Sequence, residues 1–253
     1  MDDLHRALLV LNPSESKRLI AKAVAQMPEV RQAFERGRII VGNGTTNGYV
    51  AEELLGRPVS KWHFAAGVIA GSKLDVTEGS TRLPPLALKQ GKPFDGPWVE
   101  LLREFEAEDV FVKGCNAIDP EGNVGVLLAS DVGGTVGQMF GIISARGAHL
   151  IVPVGLEKLV PDVIEAASHC GIGRAAVADG IPVGMAVLTA TEIVTEIEAF
   201  ETLFGVDAWH VASGGIAGSE GAVTIAIEGT EEAMRSATQF VASFSEEEAV
   251  ERD

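Results

Sequence analysis

The chain has 253 residues, of which 46% are hydrophobic, so it can form one large domain, or a main domain with a smaller unit, and is not a disordered protein. Its net charge of −16 argues against nucleic acid and anionic membranes as partners. Cys115 and Cys170 lack metal-ligand spacing, and no signal peptide or span of roughly 20 apolar residues is found. We therefore expect a cytoplasmic protein without a structural metal or a cofactor.

Strands and helices alternate over the first two thirds of the chain. The predicted helices span residues 14–36, 46–55, 130–146 and about 158–169, and Ser14 is the candidate N-cap of the first. The predicted strands span residues 39–41, 109–112 and 149–154. Residues 113–129 predict a hairpin, and the residues 71–98, rich in glycine and proline, predict a long loop. This order is typical of an α/β fold with a mostly parallel sheet and helices on both faces.

The last third of the chain follows a different order. It predicts a strand at 185–190, a helix at 191–204 capped by Thr191, strands at 207–213 and 221–228, and a helix at 230–244 capped by Thr230. The order β-α-β-β-α is most of a ferredoxin-like α+β unit. We therefore predict two domains, an α/β domain at 1–183 and a ferredoxin-like C-terminal unit at 184–253.

Residues 39–55, IIVGNGTTNGYVAEELL, have the order of a strand, a glycine-rich turn and a helix start. Glycines let backbone amides turn toward a bound group, and a helix start carries partial positive charge. We interpret Gly42, Gly44, Thr45 and Thr46 as a candidate cradle for a phosphate or a carboxylate. The alternative is a tight turn with ordinary helix capping.

A second glycine-rich helix start follows Ser130 and Asp131. The backbone amides of Gly133, Gly134 and Thr135 are candidates to bind an anion or to stabilise an oxyanion. The alternative is close packing of a glycine-rich helix against the sheet. If both helix starts lie near strand carboxyl ends, they are expected to face one crevice.

Three polar residues around the sequence GCNAI are candidates for chemistry or binding. Lys113 offers a positive charge or a proton, and Asp119 is a candidate general base. A solvated lysine is the alternative for Lys113, whereas for Asp119 a role in the turn before Pro120 is favoured. Asn116 either binds a ligand or supports its own turn, and the second interpretation is favoured.

Residues 112–167 resemble the LUD (lactate utilisation) domain proteins. The resemblance depends on the G-x-N-A-I turn at 114–118 and on the stretch VG-x-x-K-[IL]-V-x-D at 154–162. It implies the NagB/RpiA/CoA-transferase-like superfamily, and the turn at 42–46 resembles the phosphate loop of ribose-5-phosphate isomerases there. The chain lacks the CoA-transferase glutamate motif and the aspartate-rich isomerase motif, so the fold is implied more strongly than any one activity.

These features lead to two hypotheses of function. The first is a metal-independent enzyme for a small anionic metabolite, of the sugar phosphate or acyl-CoA type, that catalyses isomerisation or acyl or CoA transfer. The second is a non-catalytic ligand sensor, or an accessory subunit of a lactate-utilisation redox system. An enzyme needs a titratable group that faces the anion cradle, whereas a sensor needs only the cradle and an apolar wall. The apolar fraction of the chain also predicts a homo-oligomer.

Overall fold

The fold is mixed α/β with several sheets, seen in a computed structural model that describes residues 4–244 and 247–252. The predicted domains also include residues 1–3, 245–246 and 253, which lie outside the described residues. The helices are α1 (Pro13–Gln26), α2 (Pro28–Arg36), α3 (Thr45–Leu55), α4 (Lys61–Phe64), α5 (Trp98–Arg103), α6 (Gly134–Arg146), α7 (Val163–Ser168), α8 (Glu196–Phe204) and α9 (Glu231–Ala242). A 3-10 turn spans Leu156–Lys158.

The strands are β1 (His5–Leu11), β2 (Arg38–Val41), β3 (Gly67–Ala70), β4 (Lys73–Val76), β5 (Leu86–Lys89), β6 (Lys92–Pro93), β7 (Val110–Val112), β8 (Ala117–Ile118), β9 (Val124–Leu128), β10 (His149–Pro153), β11 (Gly184–Leu188), β12 (Glu192–Val194), β13 (Asp207–Ser213) and β14 (Val223–Gly229). They form a six-stranded sheet, two three-stranded sheets and the hairpin β3-β4.

The six-stranded sheet has the order β12-β10-β7-β2-β5-β6. The four strands from β12 to β2 are parallel, and β5 and β6 are antiparallel to their neighbours. Apolar runs at β2, β7 and β10 are almost fully buried, as expected for parallel strands that are covered on both faces. The carboxyl ends of these three strands therefore meet at one edge.

The predicted helix at 14–36 is two helices, because Pro28 begins a new one. Proline has no N–H for the helical ladder and its ring clashes with the preceding turn, so α1 ends before Met27. The N-cap of α1 is Asn12 rather than the predicted Ser14. Asn12 and Glu15 form a capping box in which each side chain accepts a backbone N–H.

Two further predictions of local structure were wrong. The predicted loop at 71–98 contains β5, which pairs with β2 at the edge of the main sheet. The predicted helix at 191–204 begins with strand β12, which pairs with β10, and α8 starts only after Thr195. Pairing with β10 outweighs the local helical pattern of residues 192–194.

Strands on either side of residue 183, the predicted domain boundary, pair with each other. β11 is antiparallel to β9, and β14 is antiparallel to both β1 and β13. Helices α8 and α9 contact this last sheet. In this region the predicted strands at 207–213 and 221–228 and the predicted last helix correspond to β13, β14 and α9, only the later part of the predicted helix at 191–204 is α8, and the first strand, β11, lies in another sheet.

The sheet β1-β14-β13 carries apolar side chains that remain exposed. Leu8 and Trp209 flank Ala226 in register, with exposures of 69% and 49%, and Val10 and Val211 are 61% and 56% exposed. We call these four side chains the open sheet face.

No helix in the described part of the chain is long and apolar enough to cross a membrane.

Candidate ligand-binding cleft

A cleft of about 780 Å³ lies at the carboxyl-end edge of the parallel strands. Residues 43–46 follow β2, residues 113–116 follow β7, and residues 157–158 follow β10, and all three segments line it. Residues 126–130 and 133–136 form another part of its wall. This is the position at which open α/β sheets place their ligands.

The first predicted cradle lines the cleft through Gly44, Thr45 and Thr46. The Gly44 amide donates to Phe64 O (3.0 Å), so it is already occupied. Among the described residues, no side chain caps the start of α3, and the first amides of a helix have no acceptor within the helix. The Thr45 and Thr46 amides are therefore the donors that this loop offers to an anion.

Gly42 contributes to the cleft indirectly. Its N–H donates to Val112 O (2.9 Å) and its carbonyl accepts from Asn47 Nδ2 (2.7 Å), and the residue does not line the cleft. A Cβ at this position would lie 3.4 Å from the Lys113 Cδ atom and the Phe111 ring. A side chain there would be in ordinary contact with both, and the two backbone polar groups of Gly42 are already paired within the protein, which leaves neither as a donor for the ligand.

The second predicted cradle, Gly133, Gly134 and Thr135, lines the same cleft. The φ angles of Gly133 (+73°) and Gly134 (+53°) fall in the left-handed region, which favours glycine at both positions. No side chain of a described residue caps α6. Side chains cap α1, α4, α7, α8 and α9, namely those of Asn12, Ser60, Asp162, Thr195 and Thr230, whereas α2 and α5, which do not line the cleft, also start without a side-chain cap. Two uncapped helix starts therefore meet in one cleft.

The cleft is cationic in a strongly acidic chain. Five basic side chains and one carboxylate line it, namely Lys17, Arg82, Lys113, Lys158, Arg252 and Glu157. Lys17 Nζ lies 3.2 Å from Glu157 Oε1, and none of the other four basic residues forms an ion pair with any described residue. Unneutralised cations beside two helix starts favour an anionic ligand.

Lys113 follows β7 and is partly buried in the cleft. Its Nζ donates to Gly114 O (2.9 Å), and Lys158 Nζ donates to the next carbonyl, Cys115 O (3.0 Å). The pKa of Lys113 falls to about 8, mainly because burial disfavours the charged amine; Cys115 opposes this change and Lys158 adds to it. Roughly a tenth of the Lys113 amine is thus neutral at pH 7, far more than for an ordinary lysine.

Cys115 also lines the cleft, close enough to Lys158 and Lys113 for both to act on its pKa. Burial raises the pKa of Cys115, and this effect exceeds the opposing effect of Lys158 and Lys113. A protonated, buried thiol is a weak nucleophile, so Cys115 contributes packing rather than covalent chemistry.

Asn116 and Asp119 have different positions relative to the cleft. Asn116 lines it, and its Oδ1 accepts from Leu127 N (3.0 Å), which supports the hairpin as well. Asp119 does not line the cleft, and its carboxylate accepts from backbone amides of Glu121, Asn123 and Val163 and from the Asn123 side chain. Burial raises the pKa of Asp119, and these hydrogen bonds lower it by more.

The hairpin β3-β4 forms an apolar wall of the cleft. Val68, Ile69 and Val76 line the cleft from this hairpin. Leu74 N donates to Asp179 O (2.8 Å) and Leu74 O accepts from Ile181 N (2.9 Å), which attaches the hairpin to a distant segment. The cleft therefore combines cationic groups with a surface that suits an apolar ligand moiety.

Several lining residues are not part of the site predicted from sequence. Lys17 comes from α1 and Arg82 from the predicted loop, and neither lies in a motif that signals binding. For Lys158, by contrast, the sequence already suggested a lysine that reaches the crevice from a helix start, and this residue lines the cleft. In the described part of the chain, no group of three or more His, Cys, Asp or Glu residues is arranged to hold a metal ion.

The fold and the cleft together define an α/β protein with a cationic cleft at the carboxyl ends of its parallel strands. Comparisons of the chain with protein-family models, with curated proteins and with solved structures find no match. Function is therefore argued from the chemistry of the cleft.

Proposed function

We propose that this protein binds a small anionic metabolite, of the sugar phosphate or acyl-CoA type, in the cleft between the starts of α3 and α6. The observation that carries the proposal is the convergence of two uncapped helix starts with four basic side chains that are unpaired among the described residues. Free backbone donors and fixed positive charge suit phosphate and carboxylate groups. The LUD-like and NagB/RpiA/CoA-transferase-like resemblance agrees with this proposal and remains part of it.

We further propose that the protein is an enzyme. An enzyme needs a titratable group in the cleft, and Lys113 supplies one. The lowered pKa of Lys113 suits a general acid or base near neutral pH. Metal-independent isomerisation and acyl or CoA transfer are the reactions that we propose. The sensor or accessory subunit is the second candidate, and it is favoured by the pairing of Glu157, the one carboxylate among the described lining residues, with Lys17.

Calorimetric titration tests the binding proposal. Inorganic phosphate and ribose 5-phosphate are expected to bind the protein and to raise its melting temperature, since ligands that bind only the folded state stabilise it. Ribose is the matched control without the anion, and it is expected to have no effect. Equal effects of ribose and ribose 5-phosphate, or no effect of either, would contradict the proposal.

We also propose that two copies associate through the open sheet face, Leu8, Val10, Trp209 and Val211. The row Leu8-Ala226-Trp209 is apolar, and the neighbouring Arg6 and Glu228 neutralise each other in an ion pair. Much of the remaining surface repels a second copy because the chain carries a net charge of −16. An isologous contact between two such faces removes the apolar row from water.

Trp209→Glu is expected to convert the dimer to a monomer with little change in the melting temperature of the fold. Light scattering over a wide concentration range measures the mass. The matched control is Val177→Glu, which alters a side chain of 89% exposure outside this sheet and is expected to leave the dimer intact. A wild-type protein that remains monomeric at every concentration would refute the association.

A further inference from the structure

Lys113 is an unusual lysine because it is partly buried without a carboxylate partner. Among the described residues it forms no ion pair, and its one hydrogen bond is donated to Gly114 O. A lysine that loses part of its hydration without a paired charge is costly to keep protonated. Lys158, the nearest cationic neighbour along this wall, also lacks an ion pair within the described chain and contacts the adjacent carbonyl of Cys115.

This arrangement differs from an ordinary binding site for anions. A lysine that only attracts an anion works best as a fully charged, solvated ammonium group. Burial and the neighbouring Lys158 instead destabilise the charged form of Lys113, whose pKa falls to about 8, so that more of the amine is neutral than in an ordinary lysine. Lysine amines act as nucleophiles toward carbonyl compounds when they are desolvated and lie near another cation. Lys113 is in such an environment.

From the position of Lys113 between the uncapped start of α3 and Lys158, we propose that its Nζ forms an imine with an aldehyde or ketone that also carries a phosphate or a carboxylate. The inference rests on the proposed function, because the helix starts and cations have to hold the anionic group. It extends that function in two ways: the ligand must contain a carbonyl group, and it reacts covalently with Lys113.

The chemistry needs no external reagent. The lone pair of the neutral Lys113 amine forms a bond to the carbonyl carbon while the C=O π electrons move to oxygen. One amine proton transfers to that oxygen and gives a carbinolamine. The hydroxyl group then leaves with the second amine proton as water, and the C=N bond forms. Lys158 stabilises the negative charge that develops on oxygen in the first step.

The walls of the cleft favour this outcome. Val126 and Leu128 line it near Gly133 and Gly134, and the hairpin β3-β4 adds Val68 and Ile69. Apolar surroundings limit the access of water to the imine and slow its hydrolysis. Since the anion is held at the helix starts, the carbonyl group of a short ligand is delivered repeatedly to the same amine.

Borohydride trapping tests the proposal, with pyridoxal 5′-phosphate as a probe that joins an aldehyde to a phosphate. The full-length protein is incubated with the probe, reduced, digested and mapped by mass spectrometry. We expect labelling of Lys113 to be about tenfold faster than that of the exposed Lys92, and to rise with pH through about 8 as the amine loses its proton. Inorganic phosphate is expected to slow the labelling of Lys113 alone.

Two variants and a second probe make the outcome decisive. Lys113→Met is expected to remove the specific label, whereas Lys92→Met is expected to retain it, and pyridoxal without the phosphate is expected to react about tenfold more slowly at Lys113. Equal rates at Lys113 and Lys92 would overturn the imine. If phosphate still binds in that case, the proposed function stands without the covalent step. Equal labelling of Lys113 by the two probes would overturn the anionic ligand class and count against the proposed function as well.

Discussion

Lys113→Met is expected to raise the stability of the protein at neutral pH and to abolish binding of phosphate and ribose 5-phosphate. The folded state lowers the pKa of this lysine to about 8, so keeping its proton costs free energy that the unfolded chain does not spend. The shift corresponds to about 3 kcal/mol for an amine fully removed from water. Because Lys113 remains partly open to the cleft, we expect about 1 kcal/mol, or roughly 2–4 °C in melting temperature.

The stability difference between Lys113→Met and the wild type is expected to depend on pH. Between the folded pKa of about 8 and the ordinary value of 10.5, the unfolded chain keeps the proton that the folded protein has lost. The stability of the wild type therefore rises with pH in this window, and the advantage of Lys113→Met shrinks. Thermal unfolding of both proteins across the window measures the difference. A variant that is less stable than the wild type at neutral pH and that still binds phosphate would contradict the assignment.

Asp119→Asn is the matched control, with the opposite expected pattern. An asparagine amide cannot accept all the hydrogen bonds that the Asp119 carboxylate accepts, which leaves a donor such as Val163 N–H without a good partner. We expect a loss of roughly 1–3 kcal/mol in stability and no change in phosphate affinity. Since the pKa of Asp119 is lowered by folding, its contribution is present above the unfolded value of about 3.9 and disappears as the pH falls through the folded value.

Thr45→Glu is expected to weaken phosphate binding by about tenfold or more without destabilising the fold. Thr45 is the first residue of α3, and its amide and that of Thr46 point from an uncapped helix start. A carboxylate here competes for the same amides and repels a bound anion. An acidic residue in the first turn also stabilises a helix by about 0.3–1 kcal/mol, so the melting temperature is expected to hold or to rise.

Thr45→Ser separates charge from shape at the same position. It keeps the hydroxyl and the backbone amide, and it is expected to bind phosphate as the wild type does. Calorimetric titration of both variants provides the comparison. Wild-type affinity in Thr45→Glu would place any anion away from the start of α3 and remove this helix from the account.

The two glycine-rich turns could be predicted from sequence because their signals are local. A strand, a glycine turn and a helix start specify where amides point, and the parallel sheet then brings residues 43–46 and 133–136 to one edge. The N-cap of α1 could also be predicted from sequence, since Asn12 precedes Glu15 by three residues, which is the spacing of a capping box. The predicted N-cap, Ser14, is wrong, because the residue before Pro13 provides the cap.

The remaining features depend on contacts between distant segments. Strand β12 has only three residues, and its pairing with β10 decides its conformation. Lys17 and Arg82 reach the cleft only because α1 and residues 71–98 pack beside it, which no local pattern specifies. The lowered pKa of Lys113 likewise arises from burial and from a residue 45 positions away, Lys158. Such effects appear only once the tertiary arrangement is known.

Phosphate titration of the isotope-labelled protein, observed at the backbone amides, tests the central claim most directly. The claim is that the starts of α3 and α6 hold one anion-binding cleft together with Lys113. It predicts that the amide resonances of Thr45, Thr46, Gly134 and Thr135 shift together with one dissociation constant, and that Thr45→Glu raises the dissociation constant measured at both helices by about tenfold or more. Unperturbed amides at both helix starts at saturating phosphate, or shifts confined to the open sheet face, would contradict it.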